Sequence, residues 1–229
     1  MPSDGTSTRE RILDAAEPLV LDHGFSGTSL DRVLARTGFT KGAFFYHFRS
    51  KADLARALVE RYAARDRERL EAFLEQAEAL SGDPLAQVLR FVGQFEELAE
   101  VLNEPEPGCL FASYCYQSGQ FDPETIAVIG ATFEAWRHRL GEKLEAVASC
   151  YPPRLPVDPA SLADLLTAVF EGAFIMAKTL KDPHIVAGQL GHYRNYLQLL
   201  FGPPAESMPA ATGEATAPPL NGAYMEPLP

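Results

Sequence analysis

The chain has 229 residues, with 20 Lys plus Arg against 31 Asp plus Glu. Its formal net charge of −11 excludes a protein coated with nucleic acid over its whole surface, though not a local basic site. With 46% hydrophobic and 22% charged residues it can bury a sizeable core. Three cysteines without CxxC spacing give no disulfide framework and no zinc signature, so a reducing cytoplasm is the expected location. The first residues lack a signal peptide's apolar centre. The longest apolar stretch, Leu162 to Leu180, is interrupted by Asp164, Glu171 and Lys178, and no membrane span is expected.

The predicted elements are helical throughout, and the expected fold is all-α. Ile12, Ala15, Ala16, Leu19 and Val20 recur at helical spacing from about Thr8 to His23, and Gly24 ends that helix. Thr28-Ser29-Leu30-Asp31 resembles a capping box and opens a short helix to about Arg36. Gly38 breaks it, Thr40 caps a third helix from Lys41 to about Tyr46, and Ser50 caps a long one reaching into the seventies. Three short helices in about fifty residues, with a tight glycine turn between the second and third, read as a helix-turn-helix unit. Helices are then expected from about 84 to 102, Cys109 to Ser118, Pro123 to about Cys150, around Leu162 to Ala177, and from Asp182-Pro183 to Gly202. The expected domains are 1–50 (helix-turn-helix), 51–203 (a helical bundle) and 204–229, an Ala- and Pro-rich tail read as disordered.

Charge follows the same division. Residues 1–70 carry 12 basic and 10 acidic side chains, whereas the remaining 159 carry 8 and 21. An asymmetry of this kind is expected when one segment meets an anion and the other does not. No Gly-rich phosphate loop, HExxH or GxSxG is present, and the five histidines (His23, His47, His138, His184, His192) are scattered. Neither an enzyme nor a metal or cofactor site is expected.

The run Gly38-Phe39-Thr40-Lys41-Gly42-Ala43-Phe44-Phe45-Tyr46-His47-Phe48-Arg49-Ser50-Lys51 resembles the recognition-helix signature of the tetracycline-repressor (TetR) family of bacterial regulators. The match extends back through Arg11 to Ala16, Gly24-Phe25 and Thr28-Ser29-Leu30. The resemblance implies a homodimeric repressor that binds palindromic double-stranded operator DNA. It also implies a C-terminal domain for a small-molecule effector, here unidentified, and a dimer interface built from the last two helices. A short helix fits the major groove, and Thr40, Lys41, Tyr46 and His47 supply donors to it. Thr28 and Lys51 suit phosphate, with Arg32, Arg36 and Arg49 as further candidates. Phe45 stands where the family usually carries Tyr, so it offers apolar contact and no hydroxyl. Phe44 and Phe48 read as core. The alternative is a ligand- or stress-sensing module whose helix-turn-helix meets protein.

The family resemblance places an effector pocket among the aromatics of the C-terminal helices, for which Phe91, Phe95, Cys109, Tyr114, Trp136, Phe170 and Phe174 are the candidates. Gly108-Cys109-Leu110 resembles the opening found in relatives that sense electrophiles or oxidants, with Lys178 as the partner lysine. A helix N-terminus would lower the thiol's pKa. The other reading makes Cys109 a small buried hydrophobe and Lys178 a solvated side chain. Leu166, Phe170, Leu190, Tyr193 and Leu197 are the candidates for the dimer interface.

Overall fold

The computed structural model describes residues 7–105 and 107–202; the expected tail lies outside them. The described residues form α1 (Thr8–Gly27), α2 (Leu30–Thr37), α3 (Lys41–His47), α4 (Lys51–Leu80), α5 (Pro84–Glu100), α6 (Leu110–Cys115), a 3-10 turn (Ser118–Gln120), α7 (Pro123–Cys150), α8 (Pro159–Leu180) and α9 (Ile185–Phe201). The fold is all-α, as expected.

Helix starts follow local chemistry. Ser7, Thr40 and Ser50 each accept the backbone N–H three residues on, which satisfies one of the four donors a helix leaves unpaired. Asp83-Pro84, Asp122-Pro123 and Asp158-Pro159 repeat one device: the carboxylate caps, and proline takes the first helical position. A fourth Asp-Pro pair, at 182–183, does not start α9. Asp182 N–H still donates to Ala177 O in the winding-down of α8, and α9 begins at Ile185 without a side-chain cap. Likewise Gly24 does interrupt α1, at φ 70° and ψ 165°, but one further turn carries the helix to Gly27 and buries Phe25. That conformation is open to glycine, and a Cβ there would lie 2.8 Å from Gln117 Nε2.

Two apolar clusters result. The first joins α1, α2 and α3 to the N-terminal half of α4, to α6 and to Ile129 at the start of α7. It therefore draws on residues well beyond 50. The second joins the C-terminal half of α4 to α5, α7, α8 and α9. Helices α4 and α7 run through both, so the two ends of the molecule share rigid struts. On the α1–α4 seam, Arg61 reaches Asp14 (2.6 Å), Glu17 (2.7 Å) and Glu10 (3.3 Å), three carboxylates spaced along one face of α1.

By length and composition α8 could cross a membrane, with a mean hydropathy of 1.5 in its most apolar window, which corrects the expectation from its three charges. Part of its apolar surface is used within the fold. Leu162, Ala163, Leu166, Ala173 and Ala177 are core, and Phe170 and Phe174 pack against that core. An outer row is left exposed.

Candidate DNA-binding face and ligand cavity

Helix α3 is held by its inner side. Phe44 and Phe48 are fully buried, their ring centroids 5.4 Å apart. This fixes which residues point away. Lys41, Phe45 and Tyr46 are exposed, Tyr46 at 85%, and Thr40 stands at the helix start. His47 is half-buried, edge-on to Tyr46 at 5.0 Å. Lys41 Nζ lies 3.1 Å from Asp31, but both side chains are well exposed, and such a pair yields readily to phosphate. Arg36 and Arg49 are exposed on either side.

Two expected contacts are placed differently. Thr28 is 2% exposed, and its hydroxyl donates to Leu19 O and Gly24 O, both at 2.9 Å. It ties the end of α1 together, while Ser29 caps α2 by accepting Arg32 N–H. Lys51 Nζ donates to Phe25 O at 2.7 Å and sits 4.3 Å from the Phe25 ring centre, where burial pushes its pKa down. It links α4 to the α1–α2 turn instead of standing free for phosphate. One-residue offsets at a cap, and a lysine that folds back, leave no mark in a linear sequence.

A cavity of about 310 Å³ opens between α1, α4, α5, the loop before α6, and α8. It shares Tyr62, Asp66, Arg69, Phe95, Phe170 and Phe174 with an inner compartment of about 110 Å³. Five pocket candidates line these spaces: Phe95, Cys109, Trp136, Phe170 and Phe174. Two do not. Phe91 is fully buried behind Phe95 and Trp136. Tyr114 belongs to the other cluster, stacked on Phe121 at 4.2 Å with its hydroxyl on Ala55 O. Tyr62, Asp66, Arg69, Phe111, Phe133, Thr167 and Glu171 complete the inner lining. The polar ones among them were not candidates, because single acids on long helices look like surface.

Lys178 Nζ donates to Leu21 O and to Pro107 O, each at 3.1 Å, so the end of α8 grips both α1 and the loop that leads to Cys109. The thiol itself faces a carboxylate. Burial, and next to it Glu171, push Cys109 upward; the N–H groups of Ala112 and Phe111 oppose this but are outweighed. The expected lowering by the helix N-terminus thus has the right sign and loses in magnitude. Because the thiolate is the nucleophile, iodoacetamide is expected to alkylate Cys109 at least about tenfold more slowly than exposed Cys150. Peptide mass mapping over time measures this, and equal rates would contradict the placement of Cys109.

The dimer candidates are also displaced. Leu166, Leu190, Tyr193 and Leu197 are buried in the chain's own core, and Phe170 walls the cavity. The exposed apolar residues are Leu165, Ile175, Met176 and Leu180 on α8, with Tyr196 and Leu199 on α9. Periodicity shows that these two helices are apolar but does not separate their inward from their outward side.

Residues 12–58 match the model of the family described as "Bacterial regulatory proteins, tetR family". The transcriptional regulator AcuR of Cereibacter sphaeroides is 27% identical over 176 residues, covering 76% of this chain and 78% of that protein. The HTH-type transcriptional repressor NemR of Escherichia coli K12 is 26% identical, covering 83% and 94%. Among solved structures, a TetR transcriptional regulator from Chloroflexus aurantiacus superposes with a TM-score of 0.70 at 27% identity, over 85% of this chain and 96% of that one. The reduced form of E. coli NemR shares the fold at a TM-score of 0.69, over 86% and 99%. Residues 12–58 thus carry the DNA-binding segment of the tetR family of bacterial regulatory proteins, and the relatives that match along most of the chain are transcriptional regulators. The match of residues 12–58 and the regulators among the relatives support DNA, over protein, as the partner of the helix-turn-helix.

Proposed function

We propose that the chain is a homodimeric cytoplasmic repressor that binds a palindromic operator through α3 and leaves it when a small molecule fills the cavity. The observation that carries this reading is the rigid backing of α3: Phe44 and Phe48 lock the helix, so Thr40, Lys41, Phe45 and Tyr46 project together. In this reading Thr40, Lys41 and Tyr46 read base edges, Phe45 touches a thymine methyl or a sugar, and His47, Arg36 and Arg49 meet phosphate. Two copies of α3 must sit one helical turn of DNA apart, about 34–36 Å. The exposed rows of α8 and α9 form the interface between protomers.

Release follows from the position of the cavity. Its wall includes Glu17 and Leu21 of α1, and Lys178 ties Leu21 to the loop before Cys109. An occupant that spreads these walls shifts α1, and with it α3, and favours a conformer with the wrong spacing. Modification of Cys109 is a second route into the same switch, supported by the thiol's place in the cavity wall and by the bond from Lys178 of α8 to Pro107 O in the adjoining loop. The test is fluorescence anisotropy on the intergenic DNA beside the encoding gene. Affinity is expected to fall about 10³-fold or more between 50 and 200 mM salt, as for a protein making several phosphate contacts. Absence of binding, or binding indifferent to salt, would sink the reading.

A further inference from the structure

The inner compartment combines two features that a simple apolar pocket lacks. Its walls are aromatic faces: Phe95 lies 5.7 Å from Trp136 and 5.3 Å from Phe170, centroid to centroid. Set into those walls are two carboxylates from different helices, Asp66 of α4 and Glu171 of α8. Asp66 accepts the Trp136 indole N–H at 2.6 Å, and Glu171 lies beside the Cys109 thiol. Among the described residues neither has a Lys or Arg partner within ion-pair distance; Arg69, largely exposed, also lines the compartment. Burial raises both carboxyls; at Asp66 the Trp136 hydrogen bond and the charges of Arg69 and Arg67 offset only part of this, and at Glu171 only the Cys109 thiol does.

Ring faces and carboxylates favour the same guest. The negative face of an aromatic ring attracts a cation, and a desolvated carboxylate attracts it more strongly. A carboxylic acid would meet two like charges here, and a neutral hydrocarbon would leave both unanswered. No group of three or more metal-ligating side chains occurs among the described residues, so the cavity does not suit a bare metal ion. We propose that the effector is a lipophilic organic cation, its alkylated ammonium or amidinium head held between Asp66 and Glu171 and its apolar tail directed into the outer chamber. The inference rests on the cavity being the effector site and adds the charge class of its ligand.

Trp136 is the chain's single tryptophan and lines the compartment, so its emission reports occupancy directly. The full-length protein is titrated with phenyltrimethylammonium, with tert-butylbenzene, its uncharged carbon isostere, and with 4-tert-butylbenzoate. The cation is expected to bind about 30-fold more tightly than tert-butylbenzene, the scale of a desolvated cation–aromatic contact. Asp66→Asn and Glu171→Gln, both near-isosteric, are each expected to cut that preference to about threefold while leaving tert-butylbenzene affinity unchanged. If tert-butylbenzene or the benzoate binds as tightly as the cation, the charge assignment is wrong and the cavity survives as a ligand site. If the preference persists in both variants, the cation binds elsewhere and the proposal falls. If none of the three probes alters Trp136 emission, the cavity is not the effector site, and both readings fail together.

Discussion

Replacing Phe44 with Ala is expected to abolish operator binding and to remove about 3–5 kcal/mol of stability, the cost of emptying a fully buried aromatic site. Phe44 is 0% exposed and packs against Phe48 and, edge-on, Phe45. Without it α3 loses the support that orients its outer face. For a chain of this size the midpoint of a thermal melt should fall by about 10 °C. Tyr46→Ala supplies the contrast, since its side chain is almost wholly exposed. It should leave the melt unchanged within about 0.5 kcal/mol, yet cost operator affinity by about 1–3 kcal/mol. Circular dichroism and anisotropy on the same preparations separate the two effects. A Phe44→Ala protein that melts and binds like the parent would show that α3 is not anchored in this way.

The second large effect concerns the outer row of α8. Leu165→Arg combined with Ile175→Arg places two cations on positions that are half exposed in the single chain but would lie buried between protomers. The double variant is expected to sediment as a folded monomer at micromolar concentration. Its operator affinity should drop by about 100-fold or more, because the two half-sites no longer bind as one linked event. Leu190→Ala should do the opposite. Leu190 is fully buried among the chain's own helices, so its truncation should cost about 2–5 kcal/mol of stability and leave association intact. If the double arginine variant remains dimeric, the interface uses another surface.

How well each site residue could be read depended on the range of the forces that position it. The caps at Thr40 and Ser50 act within three residues and were legible, and those at Asp83, Asp122 and Asp158 are of the same local kind. The Asp-Pro pair at 182–183 carries the same local signal and misleads, because the ending of α8 holds its backbone. Thr28 and Lys51 have the chemistry for phosphate, but the partners that claim them, Leu19 O, Gly24 O and Phe25 O, become neighbours only once α1 and α4 are docked. Asp66 and Glu171 are more than a hundred residues apart, and nothing in either helix marks them as sharing a cavity.

The acidic balance of the chain already separated a near-neutral first third from an acidic remainder. Spacing, caps and glycines by themselves determined the order of the helices and the helix-turn-helix, apart from the last turn of α1 and the start of α9. All of these follow from contacts within one or two turns, which a linear pattern records. The tertiary structure alone decided which side of α8 and α9 is core, which aromatics wall the cavity, and that burial and Glu171 outweigh the α6 N-terminus at Cys109. Those outcomes depend on desolvation and on contacts between distant helices, and periodicity reports that a face is apolar without saying what will cover it.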